Sequence, residues 1–291
     1  MILGPVEEEL AKARAAYRNR GRWGEDDVLG TLNFVDDAIR AHAAGLVRRG
    51  RAFSLAQAPQ GPQGSQGPEG TDGSGPRAAT RWRGLGLGPG NERARHRGSR
   101  TAASGDGDAV TGVGHLAGAC TGRGVLLDVG RAVGDARGEL PDGFPILEEH
   151  LRDTAEAQGA TSSVRRGDIV LVRTGQLGRV RRLGAWDRYV SGAAPGLSFT
   201  TLGWLHRTEA AAVATDTFGI EVRPCEFAEP VVSPLHRIAV PHMGLPLGEM
   251  WDLETLAEDC SADGVYEFLL VAAPLPVTGP VGAPVNPIAV K

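Results

Sequence analysis

Cysteine is scarce in this chain. Cys120, Cys225 and Cys260 lie far apart and form no CxxC pair. An odd, scattered set argues against a disulfide framework and against a thiolate zinc site, which leaves buried free thiols as the expectation. No uninterrupted apolar run reaches the length needed to cross a bilayer, so no membrane association is expected. The net charge of −4 offers no global basic surface, so no nucleic-acid partner is expected. The opening "MILGPVEEELAKARAAYRNRGRWG" sets acids and bases where a signal peptide needs an apolar centre, which points to a cytoplasmic protein. Catalytic signatures are missing as well. There is no Walker sequence and no GxSxG elbow, and "GLGLGPG" lacks the strand-to-helix setting of a dinucleotide loop.

Glycine (42) and proline (19) are abundant, together exceeding a fifth of the 291 residues, and they are unevenly spread. From Gln57 to Asp108 the chain holds no Val, Ile, Phe, Tyr or Met, and its only large apolar residues are Trp82, Leu85 and Leu87. Such a stretch buries too little apolar surface to offset its own ordering entropy. Residues 57–109 are therefore expected to be a low-complexity insertion or loop inside one domain spanning residues 1–291. The composition of this stretch is also what GC-rich coding sequence yields when read out of phase.

Outside that stretch, helical and strand patterns alternate. Residues Glu7 to Asn19 carry Leu10, Ala13 and Tyr17 at helical spacing, and "DDAIRAHAAGLVRRG" reads as a second helix ending at Gly50. "RAFSLA", "GRGVLLDVG", "RRGDIVLVRTG", "AAVATDT" and "YEFLLVAAPLPV" read as strands. "ILEEHLRDTAEAQG" and "TTLGWLHRTEA" read as helices, and "HRIAVPHMGLPLGEMWDLETLAEDC" as a short strand, a turn and a helix. This alternation predicts an α/β domain.

Reactive groups gather at the predicted strand ends: Asp216 after "AAVAT", His236 before a strand, and Glu249 after the turn "MGLPLGE". Imidazole and carboxylate together suit Zn²⁺ or Mn²⁺, where a bound water becomes a hydroxide nucleophile near neutral pH. Isolated residues of these kinds also serve as caps or solvated groups. His242 stands in the turn before Glu249 and is a candidate pocket residue, whereas His206, on the predicted helix "GWLHRTEA", reads as a surface or packing residue.

The segments "RWGEDDVLGTLNFV", "GRGVLLDV", "RRGDIVLVRTG", "AAVATDT", "LHRIAVPHMGLPLGEMWDLETLAEDC" and "YEFLLVAAPLPVTGPVGAPVNPIAVK" keep their order and cover roughly residues 20–57 and 110–291. As a set they resemble the cyclase family that includes kynurenine formamidase and isatin hydrolase, in particular its larger bacterial branch. That resemblance implies a swivelling β/β/α fold with a mixed sheet and a homodimer or higher homo-oligomer. It also implies a metal-dependent hydrolase opening an amide, formamide or lactam-type C–N bond of a small-molecule substrate. By resemblance, His236 and Glu249 are metal ligands, and Asp216 is a structural or pocket-orienting acid.

The family's upstream ligand motif falls on "RAATRWRGLGL", residues 77–87. Thr80, Trp82 (a pocket candidate), Gly84, Leu85 and Gly86 fit its variant form, but Arg81, Arg83 and Leu87 stand at the ligand positions. Arginine stays protonated and only donates, so it cannot coordinate a cation. One such charge against +2 at ~5 Å costs roughly 6–7 kcal/mol at an effective dielectric of ~20. The window therefore reads as a degraded site. Activity is expected to be impaired unless other residues such as His96 or His115 complete the sphere. The alternative is a non-catalytic homologue acting as a small-molecule or partner-binding module, with Arg81 or Arg83 as anion-binding groups.

Overall fold

The computed structural model describes residues 3–57, 81–83, 116, 118–184, 186–274 and 282–291. Residues 58–80 and 84–115 lie outside the described residues, and most of the expected 57–109 insertion, Leu87, His96 and His115 lie there with them.

The first helix spans Val6–Ala16, with Glu7, Glu8 and Glu9 in its first turn and Arg14 in its last, matching charge to the helix dipole at both ends. It buries Val6, Leu10 and Ala13. The second helix, Asp37–Ala44, starts where the Asp36 carboxylate accepts the Ile39 N–H at 2.8 Å. It stops at Gly45, five residues short of the Gly50 expected from sequence. Beyond it the backbone is diverted, and the Arg49 and Arg51 N–H groups both donate to the Lys291 carbonyl.

Eleven strands follow among the described residues: β1 (Ala52–Ser54), β2 (Arg81–Arg83), β3 (Thr121–Leu127), β4 (Pro145–Ile146), β5 (Ile169–Val172), β6 (Gly196–Leu197), β7 (Ala212–Thr215), β8 (Leu247–Glu249), β9 (Glu267–Val271), β10 (Gly282–Pro284) and β11 (Ile288–Val290). Nine form one sheet in the order β1-β11-β9-β3-β5-β7-β8-β2-β10, while β4 and β6 pair separately. The neighbours β3, β5, β7 and β8 run parallel, and the flanking pairs are antiparallel. This is the mixed-sheet α/β domain expected from the alternation of elements.

Side chains alternate across the sheet, so each central strand feeds two cores. Val125 and Leu127 of β3, Val170 and Val172 of β5, Val213 of β7 and Leu247 of β8 pack on one face, against Leu10, Leu151, Trp204 and Ile238. Leu126, Ile169, Leu171, Ala212 and Ala214 pack on the other, with Phe53, Trp251, Leu256 and Phe268. Burial on both faces is why "IVLV" and "AVAT" are continuous apolar runs. Gly248 has no room for a side chain: a Cβ there would lie 2.6 Å from the Ala214 Cβ and 2.8 Å from the Trp251 Nε1.

Arg123 is the most deeply buried basic side chain among the described residues. It is 2% exposed and uses its whole fork. Nε donates to Glu267 at 2.7 Å and Nη1 to Asp168 at 2.5 Å; Nη1 also donates to the Ser163 carbonyl, and Nη2 to the carbonyls of Thr161 and Ser163. The Asp168 carboxylate also accepts the Arg165 N–H at 2.6 Å. Burial raises the Asp168 carboxyl above its ordinary pKa, with Arg123 working against that rise.

One stretch departs from the sequence reading. "HRIAV" was expected as a strand for its β-branched residues, but His236–Ile238 is helical and continues as a single π-turn over Ala239–Met243. Ile238, Ala239 and Val240 turn into the first core, and the strand is postponed to Leu247. Among the described residues no helix is long and apolar enough to cross a membrane.

Candidate active site

The parallel strands end on one side of the sheet, where open α/β sheets place their ligand crevices. Asp128 follows β3, Thr174 lies just past β5, Asp216 follows β7, and Glu249 is the last residue of β8. Glu249 lies two residues after Leu247, so it shares the face of the first core, and it is 1% exposed.

His236 stands beside it. Its Nδ1 is 2.6 Å from the Glu221 Oε1, and its Nε2 is 3.4 Å from the Glu249 Oε1. The other Glu221 oxygen accepts the Leu235 N–H at 2.9 Å, which ties the carboxylate to the residue before the histidine. Glycine at 196 makes this possible. A Cβ there would lie 2.4 Å from the Glu221 carbonyl carbon, and backbone cannot yield as a side chain can. The segment carrying Glu221 therefore lies directly over β6, with Leu197 N–H donating to the Ile220 carbonyl at 2.9 Å and Val222 N–H to the Leu197 carbonyl at 3.1 Å.

Burial alone would push the His236 imidazole down. The two carboxylates outweigh burial and push it up to about 9. With an acceptor at each ring nitrogen, the favoured species is an imidazolium donating to both.

Asp216 is fully buried and faces backbone. Its Oδ1 accepts the Thr174 N–H and hydroxyl, each at 2.8 Å, and its Oδ2 faces the Leu177 N–H at 3.4 Å. It thereby pins the start of helix Gln176–Leu183 to the end of β7. Its own carbonyl accepts the hydroxyl of the buried Tyr189 at 2.6 Å. Burial and then Glu254 push the Asp216 carboxyl up, Arg173 and Thr174 pull it down, and the balance leaves it at about 6. Arg173 itself grips Glu254 with two bonds, at 2.9 and 2.8 Å, and Asp128 at 2.8 Å.

Asp216 links stability to pH. The folded value lies above the unfolded one, so the fold favours the protonated form. This group's contribution to stability is neutral below about pH 4 and becomes unfavourable as pH rises to about 6. Urea melts of Asp216→Asn from pH 4 to 7 are expected to show a shallower fall in stability over that window than the parent. An unchanged slope would assign the wild-type pH dependence to other groups.

The candidate residues are thus partly brought together. His236 and Glu249 meet. Asp216 lies behind them in a structural hydrogen-bond set. His242 sits in the π-turn, half-buried, and its carbonyl accepts the Asn19 N–H at 2.9 Å. His206 lies apart, 5.5 Å from the Tyr17 ring. The side chain of Trp82 lies outside the described residues, although the backbone of β2 is placed. Its register sets Arg81 opposite Glu249, Trp82 opposite Gly248 and Arg83 opposite Leu247. Residues 81–83 of the altered window thus run along the strand that carries the downstream acid. Sequence reading missed Glu221 as the partner of His236. Its signal was the alternation in "IEVR", where two charged residues occupy one side of a short extended segment. The three cysteines are free, and burial pushes the Cys120 and Cys260 thiols up to about 12.

Residues 96–222 match the family described as "Putative cyclase". A solved structure described as a novel cyclase is 30% identical, covering 94% of this chain and 100% of its own with a TM-score of 0.74. The chain belongs to the cyclase family. The same fold recurs at lower identity in isatin hydrolase A. The enzyme from Ralstonia solanacearum is 18% identical, with 88% and 98% of the two chains covered and a TM-score of 0.55. The Labrenzia aggregata enzyme is 17% identical, with 87% and 96% covered and a TM-score of 0.54. No curated protein matches this cyclase.

Two ligands at bond lengths of ~2.0–2.1 Å and tetrahedral angles stand ~3.3 Å apart. The 3.4 Å between His236 Nε2 and Glu249 Oε1 fits such an edge, and Glu221 on the far ring nitrogen matches the outer carboxylate that orients a metal-bound histidine. Among the described residues no group of three or more ligating side chains forms. The described residues therefore supply one edge of a coordination sphere there.

Proposed function

We propose that this cyclase is a hydrolase of an amide, formamide or lactam-type C–N bond in a small molecule, with its reaction centre at Glu221, His236 and Glu249. The observation that carries this reading is the histidine held between two buried carboxylates at the C-terminal ends of the parallel strands. Isatin hydrolase A, which shares the fold, is named for hydrolysing a lactam-type ring. His236 and Glu249 would hold a divalent ion of the Zn²⁺ or Mn²⁺ kind, which supplies Lewis acidity and a hydroxide near neutral pH. Glu221 fixes the imidazole plane through Nδ1. With Nε2 given to that ion the imidazole would be neutral and would donate its Nδ1 proton to Glu221, and the apolar first core beneath β8 screens the carboxylates from water. The activity is expected to be weak, because Arg81 replaces a ligand-type residue at the register position opposite Glu249.

That same register favours a second reading, a binding module on a homo-oligomeric cyclase scaffold that has lost catalysis. Two measurements separate them. Purified protein equilibrated with Zn²⁺ or Mn²⁺ is expected to retain metal near one equivalent and to turn over N-formylkynurenine or isatin. Retention below about a tenth of an equivalent, with no turnover, would leave the binding module standing.

A further inference from the structure

Residues 220–223 form a short extended segment against β6, bridged at Glu221 to Leu197 and at Arg223 to Ala194. Ile220 and Val222 turn inward and are 0% and 4% exposed, so the side chains of Glu221 and Arg223 leave from the opposite side of the segment. One of these two residues is the partner of His236.

The Arg223 guanidinium is fixed in place. Nη1 donates to the Val190 carbonyl, Nη2 donates to the Tyr189 carbonyl at 2.9 Å, and the group lies 5.5 Å from the centre of the Phe218 ring. An arginine has five N–H bonds, and here two are committed to main chain. Among the described residues the buried Nε–H has no acceptor and no carboxylate forms an ion pair with this arginine. Burial works against its charge, while Tyr189, Glu249 and Glu221 support it. The Nε–H is closed to solvent, so the donors left for a ligand are the second N–H of each Nη, on a half-buried cation held by the segment that also positions His236.

The Nη pair of a planar guanidinium is suited to a carboxylate, which it takes with two parallel N–H···O bonds. We propose that Arg223 is a specificity-determining residue that grips a carboxylate on the ligand whose scissile group lies at His236 and Glu249. The proposal rests on the hydrolase reading for the location of the ligand. It narrows the substrate class to aryl amides, formamides or lactams that carry a carboxylate apart from the scissile group.

The test compares two ligands that differ by one carboxylate, N-formylanthranilate and formanilide, with affinities measured by ligand-observed NMR and turnover followed in the same samples. Wild-type protein is expected to bind the carboxylate-bearing ligand at least about tenfold more tightly. In Arg223→Met that ratio is expected to fall below about twofold. Arg223→Lys, which keeps the charge and lacks the planar edge, should fall between them and serves as the deciding variant if the methionine variant does not fold. A wild type without preference overturns the proposal. So does a preference that survives in Arg223→Met while only the melting temperature drops, because Arg223 would then merely brace residues 189–190. Turnover without an Arg223-dependent preference sinks the proposal and spares the hydrolase reading. An Arg223-dependent preference without turnover does the reverse.

Discussion

Removing the imidazole of His236 is expected to abolish measurable hydrolysis of an aryl formamide, and Glu221→Gln is expected to slow it by about 10–100-fold. The two effects differ because the residues act at different removes from the substrate. His236 spans the gap between the carboxylates, 2.6 Å from one and 3.4 Å from the other. Without it, Glu249 loses its neighbour and Glu221 faces an empty space. In Glu221→Gln the imidazole stays but loses the full negative charge that holds its ring in one plane. Activity assays on both variants, with circular dichroism to confirm folding, check the order of effects. If Glu221→Gln equals wild type while His236→Ala is dead, Glu221 is a cap for Leu235 and has no part in turnover. Equal, full activity in both variants would remove the cluster from the chemistry altogether.

Arg123→Met is expected to be the most damaging single change to stability away from the site. It would strand Asp168, 2% exposed, and unpair Glu267 in one step. Removing one partner of a buried ion pair costs about 3–5 kcal/mol, because the remaining charge stays desolvated. Two further losses add to this, the Thr161 and Ser163 carbonyl bonds that the same guanidinium satisfies. Methionine returns some apolar burial, but it offers the carboxylates nothing. A fall in melting temperature of roughly 6–20 °C would follow for a chain of this size. Differential scanning calorimetry checks it. A loss below about 1 kcal/mol would mean that Asp168 becomes protonated or finds water. The double variant Arg123→Met/Asp168→Asn, recovering part of the loss, would confirm that the stranded charge is the cause.

The central strands were legible because physics writes them plainly. A run such as "IVLV" between Asp168 and Arg173 has few uses other than a strand covered on both faces. The helix Glu148–Gln158 was equally readable, because Gly159, at a φ of +85°, closes it. "HRIAV" misled because β-branched residues serve a buried π-turn as well as a strand, and only tertiary packing decides between them. In the site, His236 and Glu249 were singled out through a family pattern, Glu249 at the end of a strand and His236 at the start of a short helix. Their meeting depends on Gly196 letting the Glu221 segment approach, and such a three-body condition has no local signature. Arg223 was illegible for a related reason: its place beside the cluster is fixed by the main-chain carbonyls of Tyr189 and Val190, which no spacing rule records.

The sheet order also has a consequence for biosynthesis. Ser54 pairs with Ile288, so β1 waits for about 230 further residues before its partner exists. At ~5–20 residues per second, that wait is roughly 12–46 s on the ribosome. Phe53 and Leu55, each fully covered in the finished protein, spend that interval unsheltered. Shielding from a trigger-factor-type chaperone during translation is therefore expected to raise the yield of correctly assembled chain, more than the same chaperone added after release.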